Sequence, residues 1–81
     1  MLDIFVSEHA LKHGLSESDI AYAWSNFAKR RFRGQDFQVA IGYDSKGREI
    51  GMVAALLDNG DVLIIHAKAP AIASIKKELE E

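Results

Sequence analysis

Residues Val62–Ala69 read Val-Leu-Ile-Ile-His-Ala-Lys-Ala, bounded by the turn-forming Asp58-Asn59-Gly60-Asp61 and by Pro70, the only proline. Four consecutive apolar residues, Val62 to Ile65, are expected of a strand covered on both faces, hence an interior strand of a sheet. Strict alternation sends Val62, Ile64, His66 and Lys68 to one face and Leu63, Ile65, Ala67 and Ala69 to the other. Two proton-handling side chains then leave one face at the end of a rigid apolar strand.

Working outward, Asn59-Gly60 is a strong hairpin signal, so Arg48–Leu57 precedes it as an antiparallel partner. Both faces of that segment are largely apolar, as in a central strand. Asp44-Ser45-Lys46-Gly47 is a second hairpin turn, with glycine where a positive φ is needed. Before it, Asp36–Tyr43 alternates cleanly, with Phe37, Val39, Ile41 and Tyr43 on one face. Three strands therefore form a meander.

Toward the N-terminus, Ser16 is an N-cap with Asp19 at the reciprocal capping-box position. Ile20, Ala23, Trp24, Phe27 and Ala28 then draw one apolar stripe. The spacing predicts a helix from Ser16 to a basic knot of Lys29, Arg30, Arg31 and Arg33, closed by Gly34. Trp24 reads as core rather than as a platform for base stacking. Ser7 caps a shorter helix over Glu8–His13, which Gly14 stops in the left-handed conformation. In it, His9 is expected to pack and His13 to complement the helix dipole. Leu2–Val6 reads as a short extended segment or edge strand.

Pro70 is placed at the start of a last helix, where its missing N–H is harmless. Ile72, Ile75 and Leu79 follow at helical spacing, with Lys76 and Lys77 outward and a fraying acidic end at Glu78, Glu80 and Glu81. The expected fold is one α+β domain over residues 1–81, with two short N-terminal helices, an antiparallel meander of three to four strands and a C-terminal helix.

A chain of 81 residues buries only roughly 60–65% of its unfolded surface. Without cysteine there is neither a disulfide framework nor a thiolate metal site. Net charge −2 argues against an indiscriminate nucleic-acid binder, although the basic knot makes a local positive patch that attracts phosphate or an acidic partner. The plainer account of the knot is cations placed at a helix C-terminus. Neither a signal peptide nor an apolar run of about 20 residues is present, so a soluble, cytoplasmic protein without membrane contact is expected.

The sequence holds no glycine-rich phosphate loop and no serine elbow, and His9 with His13 lacks a third ligand, so no metal or cofactor is expected. The cations Arg48, His66 and Lys68 suit an anion. On RNA, one group of this set could take the 2′-hydroxyl proton while another protonates the leaving 5′-oxygen. The Arg48 guanidinium would hold the phosphate, and His66 is the better acid or base. Arg30, Arg31 and Arg33 would steer phosphate. Alternation aims Arg48 at the face opposite Lys68, so uniting the set requires a bend or bulge. The structural alternative is a hydrogen-bonded histidine beside solvated strand-end cations.

Three motifs in order carry a family resemblance: Lys12-His13-Gly14-Leu15-Ser16, then Ile41-Gly42 with Gly47-Arg48, then Leu63-Ile64-Ile65-His66-Ala67-Lys68. Over roughly Lys12 to Lys68 the chain resembles the BrnT-type toxins of bacterial type II toxin–antitoxin pairs, which belong with the RelE-like ribonuclease toxins. His66 stands where that family often has serine, Lys68 and Leu63 where it often has arginine, and the last helix lacks the usual basic run. The resemblance implies a RelE-like fold and a metal-independent endoribonuclease that inhibits translation and growth, silenced by a cognate antitoxin protein. RNA, free or ribosome-associated, would be the target. The other readings are a non-catalytic module that binds protein or RNA, and a homo-oligomer paired through the edge near Leu2–Val6.

Overall fold

The computed structural model describes residues 3–79, apart from the side chains of Lys12 and His13. Along the chain lie β1 (Ile4–Val6), a 3-10 segment (Glu8–His13), α1 (Glu17–Ser25), β2 (Phe27–Arg33), β3 (Phe37–Tyr43), β4 (Glu49–Leu56), β5 (Val62–Lys68) and α2 (Ala73–Leu79). The strands form one five-stranded sheet in the order β1-β5-β4-β3-β2. β1 runs parallel to β5 and the other pairs are antiparallel, so the sheet is mixed and wider than the three or four strands expected. The fold is α+β, with α1 and α2 on opposite faces of the sheet.

Local signals account for many of the joints. Ser7 Oγ accepts the Ala10 N–H at 3.3 Å, and Gly14 ends that segment at φ 81°. The segment is 3-10 rather than α, and His9 on it is exposed, not packed. Ser16 Oγ accepts the Asp19 N–H at 3.1 Å and starts α1. Gly47 takes φ 82° in the β3–β4 turn, as that turn requires.

The basic knot is not helical. α1 stops at Ser25, where the backbone N–H and the Nδ2 of Asn26 both donate to the Tyr22 carbonyl, at 3.0 and 2.9 Å. Phe27 and Ala28 therefore leave the helical stripe, and the cations ride on β2, an edge strand laddered to β3. Pairing with β3 overrides the helix propensity of Lys and Arg.

β5 departs from strict alternation. Val53 pairs with His66 but Ala54 pairs with Ile64, leaving Ile65 as an extra residue in a bulge. Val62, Ile64 and Ala67 thus face the α1 side, whereas Ile65 packs on the α2 side. His66 shares that second face with its partner Val53, so it does not share a face with Val62 and Ile64. Pro70 also lies outside α2, which begins at Ala73; the Ala69–Pro70 bond is cis. Glu78, expected in a fraying end, is instead helical and held by Arg31 and Arg33, while Glu80 and Glu81 lie outside the described residues.

On the α1 face, Ile20, Trp24, Ile50, Met52 and Ile64 pack together, with Trp24 only 3% exposed. On the α2 face, Val39, Ile41 and Val53 meet Ala71, Ile75 and Leu79. Two glycines permit the close approach of these layers. A Cβ on Gly42 would strike the Ala23 carbonyl of α1, and one on Gly51 would lie 2.7 Å from the Ala71 Cβ. No helix among the described residues is long and apolar enough to cross a membrane.

Candidate functional site

Arg48 follows the β3–β4 turn and points toward α1. Its Nε donates to Asp44 Oδ2 at 2.6 Å, and its Nη2 donates to Asp19 Oδ2 at 3.3 Å. Asp44 is buried and also accepts the backbone N–H groups of Lys46 and Arg48, at 2.9 and 2.8 Å. Burial pushes the Asp44 carboxyl up, but the hydrogen bonds from Arg48 and Lys46 and the nearby guanidinium outweigh it, leaving the group below its ordinary value. Arg48 therefore links the turn to the first turn of α1 and stays within reach of solvent, its side chain 45% exposed.

Lys68 pairs with Gly51, on the face against which Ala71 and Ile75 pack, and His66 pairs with Val53 on the same face. The Nε2 of His66 is buried. The structure therefore brings His66 and Lys68 to one side of the sheet and directs Arg48 to the other. The bulge at Ile65 falls before His66, so it turns the apolar half of β5 and not Arg48.

The arginines of β2 divide between the two faces. The Arg30 guanidinium lies 4.4 Å from the Trp24 ring centroid and 3.9 Å from that of Phe27. It donates to the Trp24 carbonyl at 3.0 Å, near the end of α1. Burial holds its pKa below the ordinary arginine value. On the other face, Arg31 donates to the Glu78 carbonyl at 2.8 Å, and Arg33 grips the Glu78 carboxylate through two bonds of 2.6 and 3.1 Å. The hydrogen bonds from Arg33 hold Glu78 below the usual carboxylate range, and Glu78 in turn raises Arg33. All three arginines expected to steer phosphate thus make contacts that join β2 to the helices.

A different group of side chains surrounds open space. A hollow of about 220 Å³ on the α2 face is lined by Ala28, Lys29, Ile41, Tyr43, Glu49 and Lys76. Lys76 Nζ lies 3.0 Å from Glu49 Oε1. A second hollow, of about 300 Å³, is lined by Arg48, Glu49, Ala69 and Pro70, so the two share Glu49. Lys29 belongs to the basic knot, but Tyr43, Glu49 and Lys76 were absent from the sequence-derived site. A signal for two of them exists: Tyr43 and Glu49 flank a hairpin turn, and antiparallel pairing sets them side by side. No protein-family model matches this chain, and neither a curated protein nor a solved structure matches it.

Proposed function

We propose that this protein is the toxin-like half of a type II toxin–antitoxin pair and is directed at RNA. The observation that carries the reading is where its three motifs lie. Gly14 and Ser16 form the joint into α1, Gly47-Arg48 forms the β3–β4 turn, and Ile64–Lys68 belongs to a strand with neighbours on both sides. Two of the motifs thus form joints between elements of an α+β domain and the third lies within its interior strand β5, and exposed lysines border an open hollow.

A second reading, a toxin-like module that binds without cleaving, is favoured by the state of the expected catalytic set. Arg48 is engaged by two carboxylates and leaves the sheet on the face opposite His66 and Lys68, and the His66 Nε2 is buried. A general acid needs its proton within hydrogen-bond reach of the leaving oxygen. Induced expression in bacteria, with total RNA examined before and after, separates these readings. Growth arrest with new RNA ends is expected of the enzyme, and arrest with intact RNA of the binding module. Unimpeded growth with abundant folded protein contradicts the toxin reading.

A further inference from the structure

We propose that the hollow between β2, β3, β4 and α2 holds one nucleotide unit, its phosphate between Lys29 and Lys76 and its base against Tyr43. The assignment to an RNA strand rests on the function proposed above; the pocket chemistry does not. Three strands and one helix contribute to the hollow, so its lining is set by how α2 packs on β2, β3 and β4. Lys29 comes from the edge strand, Ile41 and Tyr43 from β3, Glu49 from β4 and Lys76 from α2.

The two lysines and Tyr43 suit such a ligand, while the Glu49 carboxylate in the lining is paired with Lys76. The ion pair with Glu49 holds the Lys76 ammonium at the rim, while 46% of the Lys76 side chain remains exposed. Lys29 supplies a second ammonium, so the two lysines outnumber the one carboxylate and leave the lining net positive, with donors for the acceptor oxygens of a phosphodiester. Tyr43 is 44% exposed beside the apolar Ile41 and Ala28, a surface on which a flat ring loses water without losing hydrogen bonds. A volume of about 220 Å³ is below the roughly 300–1,000 Å³ typical of ligand sites, which suits one small unit and not several. The second hollow, with Arg48 on its lining, shares Glu49 with the first and offers room for a neighbouring unit. An RNA strand should accordingly bind more tightly than a mononucleotide.

The shared chemistry is that of a nucleoside monophosphate, either free or within single-stranded RNA. Two-dimensional NMR of the full chain, titrated separately with inorganic phosphate, AMP and a short oligoadenylate RNA, tests it. AMP and RNA should both shift the amides of Lys29, Ile41, Tyr43 and Glu49, and RNA should add Arg48 and Ala69. Lys29→Gln should weaken AMP roughly tenfold. Lys76→Gln should act in the same direction, and Lys29→Gln leaves the Glu49 pair intact as a control. Tyr43→Leu should weaken AMP and RNA on the order of tenfold while leaving phosphate unchanged. Well-dispersed spectra establish that each variant is folded.

Binding of phosphate alone, or unchanged AMP affinity in folded Lys29→Gln and Tyr43→Leu, would overturn the site. RNA shifts confined to another surface would also overturn it while leaving the RNA-directed function standing. AMP in the hollow with no RNA binding would support the site as one for free nucleotide and remove RNA from the proposed function.

Discussion

Arg30 lies against two aromatic rings and donates to the Trp24 carbonyl, so its guanidinium joins the end of α1 to the edge strand that follows. A stacked, partly desolvated cation of this kind contributes about 0.5–2 kcal/mol, and its charged hydrogen bond about 1.5–3 kcal/mol before overlap is considered. Arg30→Ala should therefore lower stability by about 2 kcal/mol, read as a shift of the urea midpoint. Arg30→Lys should recover only part, because an ammonium keeps the charge but loses the planar stack. An unchanged midpoint in Arg30→Ala would remove the clamp. Asp44 makes a second residue-level prediction. Its folded pKa is depressed, so its contribution is complete above the ordinary aspartate value of about 3.9 and is lost as pH falls through the folded value. Asp44→Asn should weaken the fold at neutral pH and flatten the acid limb of the stability curve. An acid limb identical to that of the wild type would show that the Arg48–Asp44 bond does not report there.

Among the elements, those defined by neighbours in sequence were the most legible. Ser7, Gly14, Ser16 and Gly47 act within a few residues of where they stand, and each performs the cap or turn its chemistry suggests. β2 was not legible, because Trp24, Phe27 and Ala28 continue a helical spacing and Lys and Arg tolerate a helix. The strand is stabilised by the ladder to β3 and by Glu78, whose side chain meets Arg33 across 45 residues of chain. No local pattern contains that partner. The bulge at Ile65 was also hidden, since it depends on how β5 meets β4 beyond the Asn59-Gly60 turn. Consequently the basic residues of the site could be picked out but their engagements could not. The Arg33–Glu78 link is partly exposed, with side chains 47% and 28% accessible, so solvent screening keeps its contribution to about 1 kcal/mol or less. Glu78→Gln should raise amide hydrogen exchange in α2 by no more than about fivefold, with β4 and β5 unchanged. Equal exchange in α2 would show that the Arg33–Glu78 link does not help to hold the helix to the sheet.

For the molecule as a whole, a net charge of −2 coexists with a cationic border on one sheet face. The helices α1 and α2 pack on opposite faces of the sheet, and the basic edge strand β2 stays largely exposed. Arg30, Arg31, Arg33 and Arg48 are engaged away from the hollow assigned to phosphate, whereas Lys29 and Lys76 line it, Lys76 in an ion pair with Glu49. RNA affinity should accordingly respond to few charges, each contributing about 0.7 to the slope of log affinity against log salt for a single strand. The most direct measurement is that slope for a short single-stranded RNA, compared among wild type, Lys29→Gln, Lys76→Gln and Arg33→Gln, with a urea midpoint for each. The account predicts that either lysine substitution flattens the slope by about 0.7, whereas Arg33→Gln leaves the slope alone and lowers the midpoint. A slope flattened by Arg33→Gln and untouched by both lysine substitutions would contradict it.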